Sequence, residues 1–412
     1  MSLCEICKSI PLGNLPPFPN SARLFCTPEA PQYLYFALNN NNNNNNDSDG
    51  NDPSSPRFRY HEDRGGLWQS AAGGCGLCRL VEQEARRLDA AAPAPRNVMP
   101  NFDLWVTARR GTGTGTGDGF MVLSRCGDAD RPDDAFAVMA AVGLCVEKDD
   151  PLATVIRGRP VEMFPGETAF GLARDWLTDD TRSEQPRSNS LSTLPPRLVD
   201  VGDPATDGGT VTVVEPDPAA DYRYIALMYR SPECHSAPRA PDVGAALAID
   251  ALPQTFKDAV TLTRELGLRH LWIDALCGPP PPPPPPPEDP GRSHSERTAD
   301  VYKAAHLTVA APGTAADGLF VPRRAREYVR MPYPGATGAP SGAVLAYLLP
   351  LSEEIMELHG KLESGAVARS ERVVSRRVLH FSTDQTFFED HNGRFVSEEG
   401  LVGPRWHITS PP

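Results

Sequence analysis

Four cysteines near the start of the chain have the spacing of metal ligands. They form two Cys-x-x-Cys pairs, Cys4 with Cys7 and Cys75 with Cys78. Two thiolates separated by two residues can hold one tetrahedral ion, and a second pair completes a closed structural zinc site. The spacing therefore predicts a structural zinc ion. The alternative, four small buried apolar side chains, stays open at this point because free cysteine often behaves as a hydrophobe.

The remaining cysteines and the N-terminus indicate a reducing compartment. The chain has 9 cysteines in 412 residues, an odd number. Its first residues, MSLCEICKSIPL, lack the charged segment and apolar core of a secretory signal. A disulfide framework is therefore not expected, and reduced thiols or metal ligation fit better. We expect a cytoplasmic protein.

A second group of polar residues follows apolar segments later in the chain. Asp274 ends the segment His270–Asp274, and Tyr229 ends another apolar segment. In a parallel α/β sheet, ligands bind beyond the carboxyl ends of the strands. We therefore expect Asp274 to be a polar site residue at the edge of the sheet, where Tyr229 ends another predicted strand. Asp274 as a cap of the following loop, and Tyr229 as a core aromatic residue, are the alternatives.

The element before Asp274 is predicted with the clearest signals. The spacing predicts a helix over Leu252–Leu266, with Pro253 in its first turn and Gly267 as a left-handed C-terminal cap. The segment His270–Asp274 then reads as a buried strand. The helix buries one face with helical spacing, formed by Phe256, Ala259, Val260, Thr263 and Leu266.

Alternating strands and helices predict the fold class. The predicted strands are Arg197–Val201, Thr210–Glu215, Tyr222–Tyr229 and Leu307–Ala311, and a further helix covers Glu296–Ala304. Alternation of this kind is typical of an α/β fold, which here means a mostly parallel sheet with flanking helices.

Outside this region the elements are fewer. Residues 102–126 predict a hairpin, and Leu77–Leu88 predicts a short amphipathic helix. In the less regular tail we predict a helix over Ser352–Leu362 and a strand over Arg377–Phe381. Two low-complexity runs, Asn39–Asn46 and Pro279–Pro287, cannot pack inside a sheet and predict loops.

These elements suggest three parts. Residues 1–90 form a small Cys-rich module with a disordered Asn-rich loop, and residues 91–195 form a variable β-containing segment and linker. Residues 196–400 form the α/β core, which the proline-rich loop 279–290 interrupts.

Charge and hydropathy exclude two classes of partner. The formal charge of −13 disfavours nucleic acid and anionic membranes, because both are negatively charged. No window of about 18 apolar residues is present, so no spanning helix is expected.

Several segments, in a fixed order, resemble the fungal heterokaryon incompatibility (HET) domain family. The most specific is Leu252–Cys277, LPQTFKDAVTLTRELGLRHLWIDALC. The other matching segments are Gly74–Cys78, Arg197–Val201, Tyr224–Tyr229, Val301–Tyr302, Gly318–Phe320, Ser375–Phe381 and Phe387–Glu389. The sequence departs from the family after Tyr229, where Ser231-Pro232 replaces Trp-Gly, and after Cys277, where the proline run follows.

The resemblance implies a Toll/interleukin-receptor-like core and a role in self/non-self recognition and programmed cell death through protein–protein association. The departures fit a degenerate member. A related alternative is an NAD glycohydrolase-like enzyme, in which Glu371 would act with Asp274 and Tyr229 on bound NAD. Glu371 as a solvated helix carboxylate is the competing interpretation. A third alternative is a zinc-stabilised adaptor without a ligand.

Overall fold

The computed structural model describes residues 2–16, 23–25, 58–90, 104–108, 119–125, 135–181, 194–203, 209–217, 222–230, 241–278, 294–334, 341–349, 374–392, 394–400 and 402–404. The chain divides into two compact units. The first comprises Met1–Val161, Ala325–Ile355 and Val396–Pro404. The second comprises Glu162–Arg324, Met356–Phe395 and Arg405–Pro412.

The first unit is built on an antiparallel sheet. Its strands are β1 (Arg23–Phe25), β2 (Phe58–Arg59), β3 (Leu104–Ala108), β4 (Phe120–Arg125), β5 (Ala135–Cys145), β12 (Val329–Tyr333) and β13 (Gly342–Leu348). The hydrogen-bonded order is β12-β13-β5-β4-β3-β2, and β1 joins β5 in parallel. Strands β3 and β4 are antiparallel neighbours, which confirms the predicted hairpin. Strand β5 lies inside the sheet, and its residues from Val138 to Cys145 are buried on both faces.

Short helices accompany this sheet. They are α1 (Glu5–Lys8), α2 (Arg64–Ala72), α3 (Gly76–Ala90) and a 3-10 helix at Pro151–Thr154. Helix α3 packs against β5 and β13 and confirms the predicted amphipathic helix. Its buried apolar face contains Leu77, Leu80, Val81, Ala85 and Leu88. The Asn39–Asn46 run lies outside the described residues.

The second unit contains a mixed sheet. Its strands are β6 (Leu198–Asp200), β7 (Thr210–Val214), β8 (Tyr224–Arg230), β9 (Ala246–Ala248), β10 (His270–Trp272), β11 (Leu307–Thr314), β14 (Arg377–His380) and β15 (Phe387–Asp390). They are hydrogen-bonded in the order β15-β14-β11-β8-β10-β6-β7-β9. Strands β16 (Arg394–Ser397) and β17 (Val402–Pro404) follow in the chain.

The predicted fold class, a mostly parallel and Toll/interleukin-receptor-like α/β fold, is wrong. Among the described strands of the second unit, only β14, β11, β8 and β10 pair in parallel, and the strands on either side of them pair antiparallel. The first sheet is antiparallel along its whole path. Short connections explain the difference, since β14 and β15 are joined by a six-residue loop that permits only an antiparallel partner.

The helices of the second unit include the one predicted most clearly. They are α4 (Glu167–Thr181), a 3-10 helix at Ile249–Ala251, α5 (Gln254–Glu265), α6 (Asp274–Cys277) and α7 (His294–Ala304). Helix α5 buries Phe256, Ala259, Val260 and Thr263 as predicted. Gly267 follows it with φ +69°, which confirms the left-handed cap. The predicted helix Ser352–Leu362 and the proline run lie outside the described residues.

Helix α5 also holds the chain that follows β11. The Asp258 carboxylate accepts hydrogen bonds from the backbone N–H groups of Leu319 at 2.7 Å and Phe320 at 3.2 Å. The Thr255 hydroxyl donates to the Thr314 carbonyl at 2.7 Å and accepts from the Gly318 N–H at 3.0 Å. We call Thr255 and Asp258 the α5 clamp. It joins two of the segments that resemble the HET family.

A buried ionisable pair joins two further segments of that kind. His380 in β14 and Glu389 in β15 are both almost fully buried, and His380 Nε2 lies 2.9 Å from Glu389 Oε1. Because Val378 is the register partner of Glu389, the pair is diagonal on one sheet face. The pair therefore fixes β15 against β14 from inside the core.

Candidate metal centre and polar strand-end pair

The four predicted cysteine ligands lie together in the first unit. Cys7 Sγ is 3.5 Å from the sulfurs of Cys75 and Cys78, and Cys4 Sγ is 3.9 Å from Cys78 Sγ. All four sulfurs lie within 4.8 Å of one another. Cys7, Cys75 and Cys78 are buried, and Cys4 is half-buried. The four thiols are therefore placed to bind a metal ion.

The distances fit one tetrahedral ion. A Zn–S bond of about 2.3 Å requires neighbouring sulfurs about 3.8 Å apart in a regular tetrahedron. The 3.5 and 3.9 Å separations lie close to that edge length. They are far longer than a disulfide bond of about 2.05 Å. Four sulfur donors also complete the shell, which is the arrangement of a structural rather than a catalytic site.

Local structure brings the two pairs together. Cys4 caps α1, and its sulfur accepts a hydrogen bond from the Cys7 N–H at 3.4 Å. The second pair straddles the start of α3, after Gly74 turns the chain with φ +92°. Ser2 forms a parallel bridge with Cys75, and its carbonyl accepts from the Gly76 N–H at 2.9 Å. The N-terminal segment is thereby docked beside α3, which sets the sulfur separations.

Two side chains that the sequence did not single out surround these sulfurs. Tyr60 Oη lies 3.2 Å from Cys7 Sγ and 3.4 Å from Cys78 Sγ, and His61 Nε2 lies 3.3 Å from Cys78 Sγ. The sequence shows only that these two residues follow β2. The pairing of β2 with β3 is what places them beside the sulfurs. Burial raises the pKa of Tyr60 well above its usual value, so the phenol keeps its proton.

Hydrogen bonds among the cysteines shift the pKa values of their thiols in opposite directions. Hydrogen bonds from Cys7 and Cys78 lower the pKa of Cys75 below the usual value for a thiol. The pKa of Cys7 is raised, chiefly because its thiol is hydrogen-bonded to Cys75. These hydrogen bonds thus favour the thiolate at Cys75 and the thiol at Cys7, and a bound metal ion would displace the remaining protons.

The structure also brings Tyr229 and Asp274 together, in the second unit. Tyr229 Oη donates a hydrogen bond to Asp274 Oδ1 at 2.6 Å. Tyr229 lies near the carboxyl end of β8, and Asp274 follows the carboxyl end of the adjacent parallel strand β10. The Tyr229 ring packs edge-on against Phe256 at 5.2 Å, and Asp274 is exposed. Asp274 also accepts from the Ala275 N–H at 2.7 Å, so its carboxylate is held in one orientation.

Two further residues bear on what this pair can do. Glu371, the third predicted residue, lies outside the described residues. Cys277 is buried at the end of α6, and burial raises the pKa of its thiol to about 12. It is therefore a neutral side chain near neutral pH and not a thiolate nucleophile.

The fold and the cysteines define a two-unit protein with a candidate four-thiol metal centre in one unit and a mixed sheet in the other. Residues 224–333 match the family model described as heterokaryon incompatibility protein (HET). Residues 224–333 are therefore a HET domain, which supports a function related to heterokaryon incompatibility in general. No curated protein and no solved structure matches it.

The helices carry one further finding. Within the part of the chain that the structure describes, none has both the length and the apolar character required to cross a bilayer.

Proposed function

We propose that the chain acts as a self/non-self recognition module that triggers programmed cell death through protein–protein association. The HET family match over residues 224–333 carries this proposal. The α5 clamp and the His380–Glu389 pair support it, because they hold the family-like segments in a well-bonded core. The acidic charge of −13 favours protein partners over nucleic acid.

Inducible expression in a filamentous fungus tests this function. We expect expressing hyphae to lose viability, and we expect the clamp variant Asp258→Ala to abolish the effect by destabilising the core. Asp250→Ala, which removes an exposed carboxylate of the same unit, is the matched control and should act as wild type. If hyphae that express the wild-type chain at a high level keep normal viability, the proposal is refuted.

Association is tested in the same cells. Chemical crosslinking before lysis should shift the wild-type chain into a larger, discrete species, and this shift should precede the loss of viability. A chain that kills the cells while it remains uncrosslinked and monomeric would contradict a mechanism based on association.

For the four thiols, the proposed metal is zinc with a structural role. A closed set of four sulfurs leaves no coordination position open for substrate. Zinc binds four thiolates in a tetrahedron, because its filled d shell imposes no other geometry. Purified wild-type chain should contain about one zinc ion, and Cys75→Ser should lose it. Cys145→Ser is the matched control, because Cys145 is a buried cysteine of the same unit whose sulfur lies at the Leu345 carbonyl. Equal zinc content in both variants would contradict the assignment. If wild-type chain binds zinc but expression leaves the hyphae viable, the remaining interpretation is a zinc-stabilised adaptor without a ligand.

An NAD glycohydrolase activity is the second candidate, and the Tyr229–Asp274 contact is what favours it. The fold analogy no longer supports it, because the sheet is not mostly parallel. Incubation of purified chain with NAD, beside Asp274→Asn and Glu371→Gln, tests it directly. The activity requires nicotinamide release by wild type and its loss in both variants, and absence of release from wild type would end this alternative.

A further inference from the structure

The sulfurs of the four-cysteine cluster are surrounded by hydrogen-bond donors. A backbone N–H group can only donate, so each one beside a sulfur identifies that sulfur as an acceptor. The Cys4 N–H points to Cys75 Sγ at 3.3 Å, and the Cys7 N–H points to Cys4 Sγ at 3.4 Å. At least these two sulfurs are therefore arranged to accept hydrogen bonds, as thiolates do.

The other two sulfurs receive side-chain contacts. Tyr60 Oη lies within 3.4 Å of both Cys7 Sγ and Cys78 Sγ, and His61 Nε2 lies 3.3 Å from Cys78 Sγ. With the backbone contacts, every one of the four sulfurs has a nitrogen or oxygen neighbour at hydrogen-bond distance. Such neighbours matter because one divalent ion with four thiolates leaves a net charge of −2, and a buried charge is costly without hydrogen bonds.

The positions of Tyr60 and His61 are fixed by backbone and ring contacts. The Tyr60 N–H donates to the Leu104 carbonyl at 2.7 Å, and the Leu104 N–H donates to the His61 carbonyl at 2.9 Å. The two rings meet edge to face, with centroids 4.6 Å apart. Tyr60 is 1% and His61 6% exposed. Both side chains are therefore buried within the first unit.

We propose that Tyr60 and His61 are positioning residues of the metal centre, which donate hydrogen bonds from Tyr60 Oη–H to Cys7 and Cys78 and from His61 Nε2–H to Cys78. This inference rests on the proposed zinc site. The two residues hold the Cys7 and Cys78 thiolates in place and offset the negative charge of the loaded centre. Outer-shell groups of this kind typically change metal affinity by about 10–100-fold.

Cobalt titration of the metal-free whole chain tests the proposal, with affinity measured by competition against a chelator. We expect Tyr60→Phe and His61→Leu each to weaken cobalt binding by about 10–100-fold. Both should also shift the thiolate-to-cobalt charge-transfer band, because fewer hydrogen bonds reach the sulfurs. We expect His61→Gln to recover part of the affinity, since its amide can still donate.

Tyr347→Phe is the matched control. It also removes a buried tyrosine hydroxyl of the first unit, but that hydroxyl donates to the Glu399 carbonyl at 2.7 Å and not to a cysteine. It should keep the wild-type affinity and spectrum, which separates a role at the metal from a loss of stability. If Tyr60→Phe does not fold, the comparison of His61→Leu with His61→Gln decides.

Two failures are distinguishable. Wild-type chain that takes up neither cobalt nor zinc would overturn the metal site itself. Wild-type chain that binds cobalt, with Tyr60→Phe and His61→Leu unchanged in affinity and spectrum, would overturn only the role of Tyr60 and His61.

Discussion

Removal of the Asp258 carboxylate should destabilise the second unit by about 3 kcal/mol. In Asp258→Ala the N–H groups of Leu319 and Phe320 lose their acceptor. A buried donor left without a partner costs about 1–3 kcal/mol. The Leu319 N–H is buried, and the Phe320 N–H is partly buried with a longer contact, so the sum lies in the lower half of the combined range of about 2–6 kcal/mol. Gln254, the third partner at 2.7 Å, is exposed and can turn to water.

Calorimetric unfolding of the whole chain measures this effect. For a unit of this size, about 1 kcal/mol shifts the melting temperature by about 2–4 °C, so the expected decrease is about 6–12 °C. Asp258→Asn keeps an acceptor oxygen, so its melting temperature should fall by less. Asp250→Ala should change stability by no more than about 0.5 kcal/mol, because its carboxylate is exposed. An Asp258→Ala variant with the same melting temperature as wild type would refute the stabilising role of the α5 clamp.

Two further perturbations of the second unit follow from its geometry. Gly318→Ala should cost about 1–3 kcal/mol, because Gly318 has φ +91° and an added Cβ would lie 2.8 Å from Asp258 Oδ2. Gly209→Ala, whose Cβ meets nothing within 4 Å, is its control, and equal melting temperatures for the two variants would contradict this prediction. His380→Phe should lower the free energy of unfolding by about 3–5 kcal/mol, because the buried Glu389 carboxylate loses the imidazole that contacts it. The double variant with Glu389→Leu should recover part of that loss in a thermal double-mutant cycle, and strict additivity of the two single changes would show that the residues do not interact.

Helix α5 and strand β10 were predictable from sequence because local and tertiary requirements agree there. Phe256, Ala259 and Val260 share one helical face, and Gly267 permits the left-handed turn that ends the helix. The distant partners of Asp258 were not predictable. They are backbone groups more than sixty positions away, and no pattern in the sequence marks a carboxylate that binds N–H groups.

The fold class failed for a related reason. Alternating strands and helices indicate parallel neighbours for β8, which the pairings with β10 and β11 have. Such alternation does not show what lies on either side, where β6 and β15 pair antiparallel. The long buried strand β5 fell in a segment described only as variable, because its continuous apolar run has no periodicity that separates a buried strand from a buried helix.

The metal ligands were predictable in type, and their surroundings were not. The Cys-x-x-Cys spacing identifies each pair by itself. That the pairs meet depends on Ser2 docking beside Cys75, and that contact has no local signature. Tyr60 and His61 reach the sulfurs only because β2 pairs with β3 in one register.

X-ray absorption at the zinc edge of the purified whole chain directly identifies the atoms that bind the metal. We expect four sulfur neighbours at about 2.3 Å, with no nitrogen or oxygen in the first shell. A shell containing a nitrogen or oxygen at about 2.0–2.2 Å in place of one sulfur would contradict a centre made by Cys4, Cys7, Cys75 and Cys78 alone.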